Sequence, residues 1–441
     1  MYRRILLALA GSLLVGWGAT TLFLPEHALL LGIVSFLVIL WTNEGLPMGV
    51  VSLLPLILFP SFEVLEFNVV ALNYAKPVIF LFLGGFLVAI AIKETGLHKV
   101  IAHRLLQFFP CCARGMIYSL AITAALLSSI LSNTTITLML LPIALYLTEN
   151  KRLKVRFLIA TAYGASIGGV LTPIGTPPNL ILMGYMEDIG MVAPTFLEWI
   201  SLTFPVALLM LLIVPFVLSI GVQNEEVESQ PELAPGLTRP QRRLTWILYG
   251  LVLLLVVNSP IEPIYSGLGL NEKMLLLGFG LLMFAPGIGF LEWQDIKKIP
   301  LEIIFLFGAG FSIANAFMQS GIADNIVGYL LGMEGLPYFA LLFTVALFVS
   351  FSTEVTSNTA LISIMLPIFH AFAQQVEIDE QVVLMVATIA ASYAFMLPIA
   401  TPPNAIVMSS GVIRIREMAR IGFVINLIGI VVLSSIAYVY W

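Results

Sequence analysis

Apolar residues in this chain run in long unbroken blocks, with neither the alternation of a half-buried strand nor the one-sided stripe of a soluble helix. The blocks fall at about 5–24, 28–41, 46–60, 77–97, 116–149, 155–186, 199–221, 243–258, 273–290, 301–320, 337–371, 380–410 and 418–440. A helix needs roughly 20 apolar residues to cross a bilayer. The pattern therefore predicts an all-α polytopic membrane protein. Two blocks, 116–149 and 337–371, are too long for one span, and each is interrupted near its middle by a polar triplet. Each reads as a re-entrant hairpin that enters and leaves on one side; the other eleven blocks read as crossings. The first block, 5–24, is longer than a signal-peptide core and no small-residue cleavage site follows it, so it reads as a retained span.

Composition narrows the class. Of 441 residues, 60% are hydrophobic and only 10% are Asp, Glu, Lys or Arg, against about 25% charged in soluble domains. A soluble enzyme, a nucleic-acid binder and a disordered chain are excluded, and many spans without a large soluble insert point to transport. Charge placement sets the orientation. With Arg3 and Arg4 in the cytoplasm, eleven crossings and two hairpins leave only Lys76 and Lys273, of the 20 Lys and Arg, on the outside. That asymmetry is the one expected of cytoplasmic loops, and counting either hairpin as a crossing destroys it. The expectation is a multi-pass protein of the cell inner (plasma) membrane. Its N-terminus is inside, and the aromatic C-terminus Tyr438-Val439-Tyr440-Trp441 is outside.

The longest polar stretch, 222–243, contains Glu225, Glu226, Glu228, Pro231, Pro235 and Pro240 and reads as a cytoplasmic linker. The halves on either side repeat. An offset of 225 takes Phe80-Leu81-Phe82 to Phe305-Leu306-Phe307, Gly96 to Gly321, and Ser132-Asn133-Thr134 to Ser357-Asn358-Thr359. It also takes Pro142 to Pro367, and Thr176-Pro177-Pro178-Asn179 to Thr401-Pro402-Pro403-Asn404. Five crossings separate equivalent points, so the second copy is inverted, as in secondary transporters whose site lies at mid-membrane between the repeats. The predicted organisation is N-terminal spans at 1–76, a first-repeat core at 77–221 and the linker at 222–243. Second-repeat spans follow at 244–300, then a second core at 301–441.

The repeated motifs carry the chemistry. Ser, Asn and Thr favour helix N-caps, and a helical pattern follows each triplet. Each hairpin tip thus presents a helix N-terminus, with its free N–H groups and partial positive charge. Two such tips converging from opposite sides suit an anion with two charged ends. A single triplet of this kind reads as interhelical glue; two at matched positions in overlong blocks do not. Each Thr-Pro-Pro breaks a helix, because proline lacks an N–H and clashes with the preceding turn. One half-helix stops, and another starts capped by Thr. Carbonyls near Gly175 and Ala400 then lose their helical partners and become available to Na⁺. Ser128 with Ser132, and Thr353 with Ser357, stand four residues apart on one helix face. Such oxygen-only sets suit a hard cation.

Glu354 is the most membrane-embedded acid. It reads as a cation or proton site, as a structural partner, or as a group near the hairpin mouth. His98 and His103 read as surface residues, and adjacent Cys111 and Cys112 as incidental. No Walker-type glycine loop and no His/Cys ligand spacing occurs. No arginine lies among the motifs, so helix dipoles, hydroxyls and bound cations must meet the substrate's charge.

The doubled Ser-Asn-Thr and Thr-Pro-Pro-Asn motifs resemble the divalent anion/sodium symporter (DASS) family, bacterial sodium/dicarboxylate type. Trp41-Thr42-Asn43-Glu44-Gly45-Leu46-Pro47 with Leu53-Leu54-Pro55 is similar to the family's early signature, with Asn43 and Gly45 in place of Thr and Ala. The resemblance runs from about residue 28 to the C-terminus. It implies no enzyme and no cofactor beyond Na⁺ as coupling ion. It implies a homodimer in lipid, with a scaffold at the contact and an elevator-type transport domain built of the hairpins and broken helices. It implies symport of a C4-dicarboxylate such as succinate, with a dicarboxylate exchanger or a citrate, tartrate or sulfate carrier as the nearest alternatives. An anion channel or a non-transporting membrane subunit is the reading from another class. Carried over by position, one Na⁺ site comprises Ser128, Ser132, Asn133 and Gly175, and the other Thr353, Ser357, Asn358 and Ala400. The anion falls to Asn133, Thr134, Thr176, Asn358, Thr359, Thr401 and Pro402.

Overall fold

The computed structural model describes residues 2–222, 225, 227, 228, 235–260, 265–330 and 335–441. Residues 223, 224, 226 and 229–234 of the expected linker, Glu226 and Pro231 among them, lie outside the described residues. Twenty-one α-helices make up almost all of the regular structure described. The chain opens with α1 (Tyr2–Ala19) and α2 (Pro25–Asn43). They run antiparallel, with Gly16 against Gly32 and Gly11 against Ile39. Next come α3 (Met48–Leu53), α4 (Pro55–Ser61), α5 (Phe67–Asn73) and α6 (Pro77–Glu94).

The first copy of the repeat continues with α7 (Leu97–Gln107), α8 (Ala113–Ser128), α9 (Asn133–Tyr146), α10 (Lys151–Val170), α11 (Pro177–Asp188) and α12 (Phe196–Ser219). Then follow α13 (Arg239–Asn258) and α14 (Glu272–Leu282). The second copy is α15 (Leu301–Ser320), α16 (Ile322–Leu330), α17 (Tyr338–Ser352), α18 (Asn358–Gln375), α19 (Glu380–Ala391), α20 (Pro402–Ser409) and α21 (Ile415–Tyr440). Helices α8, α9 and α11 start 225 residues before α17, α18 and α20. Local chemistry sets these starts. Pro177 and Pro402 open α11 and α20 at the first helical position, where a missing N–H costs nothing. Gly96 and Gly321, at φ 71° and 68°, take the same left-handed turn after α6 and α15.

Two expected spans are not single crossing helices. Block 46–60 divides into α3 and α4 because Pro55 starts a new helix after Leu54. Block 273–290 is helical only to Leu282, after which Phe290 and Leu291 N–H fold back onto Met283 O. Among the described residues, six runs are long and apolar enough to cross a membrane: α2, the α5–α6 run, α12, α13, α15 and α21. The chain is therefore an all-helical polytopic membrane protein in which the remaining blocks are shorter or broken.

Packing gathers the motifs at the centre. One apolar cluster joins α2 to α5 onto α15, through Leu37, Phe59 and Val70 against Leu306, Ile313 and Phe317. The larger cluster unites α6–α12 with α17–α21. Helix α10 is buried on every side from Phe157 to Val170, as expected of a helix without a polar face. It lies hard against α8. A Cβ at Gly164 or Gly168 would come within 2.3 and 2.1 Å of the Ala121 and Ala125 carbonyls.

Candidate functional site

The apolar blocks 155–186 and 380–410 are each interrupted. Helix α10 ends at Val170 and α11 starts at Pro177; α19 ends at Ala391 and α20 starts at Pro402. The two gaps share a turn. Gly175 N–H donates to Thr172 O and Ala400 N–H to Leu397 O, each at 3.2 Å. Among the described residues, no hydrogen bond reaches the carbonyl oxygens of Gly175 and Ala400. The expected Thr cap forms in one copy only. Thr401 Oγ1 accepts from Asn404 N–H at 3.4 Å, whereas Thr176 makes no side-chain capping bond. Its extended backbone alone starts α11.

The two polar triplets sit where α8 gives way to α9 and α17 to α18. Ser132 and Ser357 are the N-cap residues, and neither side chain makes a capping bond. The first-turn N–H groups, which a helix cannot satisfy itself, therefore remain free for another acceptor. Behind each triplet lies a buried hydroxyl. Ser128 Oγ donates to Asn133 Oδ1, and Thr353 Oγ1 to Asn358 Oδ1, each at 2.5 Å. Thr353 Oγ1 also lies 3.1 Å from Ala391 O. In the first copy, a Cβ on Gly169 would stand 3.1 Å from Asn133 Oδ1 and 3.4 Å from Gly175 O. The hydroxyl, the amide oxygen and the unbonded carbonyl therefore gather around one point.

One cavity of about 1220 Å³ joins the two copies. Its wall includes Ser132, Asn133, Thr134, Gly175 and Thr176 from the first copy, and Ser357, Asn358, Thr359, Ala400, Thr401 and Pro402 from the second. Ser128 and Thr353 stand behind the wall, fully buried. The cavity passes between Phe82, Gly85 and Phe86 on α6 and Ile303 and Leu306 on α15. It reaches Arg4, Asn43 and Glu44 at one rim. Arg4 is the one basic side chain among the described residues that line it.

The opposite end of α11 is tied down. Asp188 pairs with Lys76, just before α6, and Glu187 pairs with Lys273 at the start of α14. The Lys76 ammonium also stands over the Phe311 ring, 4.3 Å from its centroid. Eight residues of α11, 179–186, lie between the cavity-lining Pro178 and Glu187, a rise of roughly 13 Å at 1.5 Å per residue.

Glu354 takes the structural role among those the sequence left open. Its Oε1 accepts from Met396 N–H at 2.8 Å and Asn426 Nδ2 at 2.7 Å, and its Oε2 from Leu397 N–H at 2.8 Å. Asn426 Oδ1 accepts from Phe395 N–H at 3.1 Å. Together they satisfy three successive amides of the second break. Ser129 occupies the matched place in the first copy, so the clamp is not duplicated. His98 corrects a surface expectation: it is buried, with Nδ1 3.1 Å from Ile92 O, and burial lowers its imidazole below the usual range.

Sequence reasoning missed four residues. Ser166 and Ser392 line the cavity with buried hydroxyls that have no partner among the described residues; a lone serine in an apolar run gives no signal. Asn179 and Asn404 stood inside a recognised motif without a role, and their contacts cross the breaks. Among the described residues, no cluster of His, Cys, Asp and Glu could hold a metal ion.

The citrate-transporter family pattern, CitMHS, matches residues 36–390. An uncharacterized transporter of Haemophilus influenzae is 32% identical over 95% of this chain and 93% of its own. The sodium-dependent dicarboxylate transporter SdcS of Staphylococcus saprophyticus is 29% identical over 95% of this chain and 88% of its own. Among solved structures, the YdaH transporter of Alcanivorax borkumensis shares the fold. It has a TM-score of 0.61 and 16% identity, over 85% of this chain and 87% of that one.

Proposed function

This chain belongs to the citrate-transporter family, within the divalent anion/sodium symporters; it is a secondary transporter and not an enzyme, and we propose that it carries a C4-dicarboxylate such as succinate together with Na⁺. The observation that carries the reading is the meeting of two helix starts and two helix breaks on one cavity, each with its hydroxyl and amide oxygen. The name of the Staphylococcus relative, a sodium-dependent dicarboxylate transporter, points the same way.

In this reading one Na⁺ lies on Ser128, Ser132, Asn133 and Gly175, and the other on Thr353, Ser357, Asn358 and Ala400. The dianion lies between them on Asn133, Thr134, Thr176, Asn358, Thr359, Thr401 and Pro402. Each helix start offers about half a positive charge. Without cations a dianion faces only such partial charges; two bound Na⁺ add two full positive charges. Cation binding thus comes first, and coupling follows from charge balance. The Ser128–Asn133 and Thr353–Asn358 hydrogen bonds hold the ligand oxygens together until an ion takes their place.

The topology that fits the charges has eleven crossings, some of them broken, and two re-entrant hairpins in inverted repeats. The N-terminus is cytoplasmic and the C-terminus outside, in the plasma membrane. The rim at Arg4 then opens to the cytoplasm, and the ion pairs at Asp188 and Glu187 close the outer side. Spans 1–76 and 244–300 form most of a scaffold that pairs in a homodimer. The hairpins and broken helices, within cores 77–221 and 301–441, move as an elevator. Asn133→Ala and Asn358→Ala should each abolish uptake while the protein remains folded. Wild-type uptake by either variant contradicts the site.

A further inference from the structure

The two breaks are held by one device used twice, and its residues stand outside the ligand sets above. Asn179 Nδ2 donates to Gly169 O at 3.1 Å and to Thr172 O at 2.9 Å. Asn404 Nδ2 donates to Ala394 O at 2.9 Å and to Leu397 O at 3.1 Å. Every position matches through the offset of 225, and both asparagines are fully buried.

In a continuing helix the carbonyls of Gly169 and Ala394 would accept from the residues four places on. Those residues are Pro173 and Pro398, which have no N–H. A buried carbonyl without a donor carries its full desolvation penalty, and the asparagine amide supplies the missing donor. Its second hydrogen goes to Thr172 O or Leu397 O. These same carbonyls accept the backbone N–H of Gly175 and Ala400. The asparagine therefore ties the chain before the turn, at Gly169 or Ala394, to the first residue of the turn whose last carbonyl is a cation ligand in the reading above.

We propose that Asn179 and Asn404 are positioning residues for the two Na⁺ sites. Each replaces the N–H that proline removes and holds the turn, 172–175 or 397–400, so that the Gly175 or Ala400 carbonyl faces the ion. Neither touches the ion or the dicarboxylate. The inference rests on the Na⁺ sites proposed above. Each asparagine serves one site, so the two substitutions act on different ions.

The test uses the purified full chain, wild type and four variants. Asn179→Asp and Asn404→Asp keep the shape and lose at least one of the two donors, because a carboxyl donates once when protonated and not at all when ionised; Asn179→Ser and Asn404→Ser keep one shorter donor. The melting temperature is followed against NaCl, with choline chloride holding ionic strength constant, and Na⁺ activation of succinate uptake is measured in proteoliposomes. The Asp variants should need about tenfold more Na⁺ for half-maximal stabilisation, and the Ser variants a smaller increase. The Li⁺ to Na⁺ preference should change as well, because a loosened carbonyl no longer fits ion size. Where the Asp forms do not fold, the Ser forms decide. A uniform loss of melting temperature with unchanged half-saturating Na⁺ overturns the positioning role alone. Wild-type protein that Na⁺ neither stabilises nor activates overturns the Na⁺ reading, and the inference with it.

Discussion

Removing the buried hydroxyls behind the triplets separates ion binding from folding. Ser128 Oγ has one hydrogen-bond partner among the described residues, Asn133 Oδ1 at 2.5 Å. Thr353 Oγ1 has two, Asn358 Oδ1 at 2.5 Å and Ala391 O at 3.1 Å. Both side chains are fully buried. A hydrogen-bond-scale contact to a charged group is worth about 1.5–3 kcal/mol, or roughly 10–150-fold in affinity. Asn133 and Asn358 border the cavity, so water can partly replace the lost oxygen, and the low end applies. Ser128→Ala and Thr353→Ala should each raise half-saturating Na⁺ about tenfold. Thr353→Ala also strands the Ala391 carbonyl and should cost about 1 kcal/mol of stability more than Ser128→Ala. Thr353→Ser, which keeps the oxygen, should behave as wild type. The assay is succinate uptake against Na⁺, with thermal unfolding measured alongside. Unchanged Na⁺ dependence in both alanine variants refutes the placement of the two cation sites.

Gly175→Ala puts a Cβ 2.4 Å from Gly169 O; it should lose Na⁺-driven uptake and about 1–3 kcal/mol of stability, checked by uptake and thermal unfolding. Glu354→Gln turns an amide toward the N–H groups of Met396 and Leu397; it should cost about 1.5–3 kcal/mol, and an unchanged melting temperature would count against the clamp. Glu187→Gln with Asp188→Asn removes two partly exposed ion pairs, each worth about 0.2–1 kcal/mol. With Cys111 and Cys112 replaced by serine, a Thr134→Cys probe should then react a few-fold more slowly from the Arg4 side. An unchanged rate contradicts a closing role for the pairs.

The parts of the site that depend on local chemistry were readable from the chain. Thr-Pro-Pro starts α11 and α20, and Pro173 and Pro398 lack the N–H that would continue the helix before them, so the breaks at 171–176 and 392–401 follow from residues a few places apart. The triplets start helices with Ser132 and Ser357 at the N-cap position, as their residue types favour, although neither side chain makes the capping bond. Tertiary partners decided the rest. Glu354 is a clamp because Met396, Leu397 and Asn426, 42 to 72 residues later, meet it, and nothing beside it in the chain distinguishes that from ion binding. His98 sits in a basic segment but folds under, onto Ile92 O. Blocks 46–60 and 273–290 are apolar enough for spans, yet Pro55 and the fold-back onto Met283 O shorten their helices. Hydropathy counts residues and does not see those turns.

The central claim is that Na⁺ drives a dicarboxylate through this site. The direct measurement is uptake of radiolabelled succinate into proteoliposomes, under an inward gradient of Na⁺, of K⁺ or of neither, with the lumen empty or loaded with succinate. Concentrative uptake that requires Na⁺ and proceeds into an empty lumen is the expected result. Uptake that ignores Na⁺ and requires internal succinate contradicts it, and leaves the hydroxyl and amide oxygens as structural groups in an exchanger.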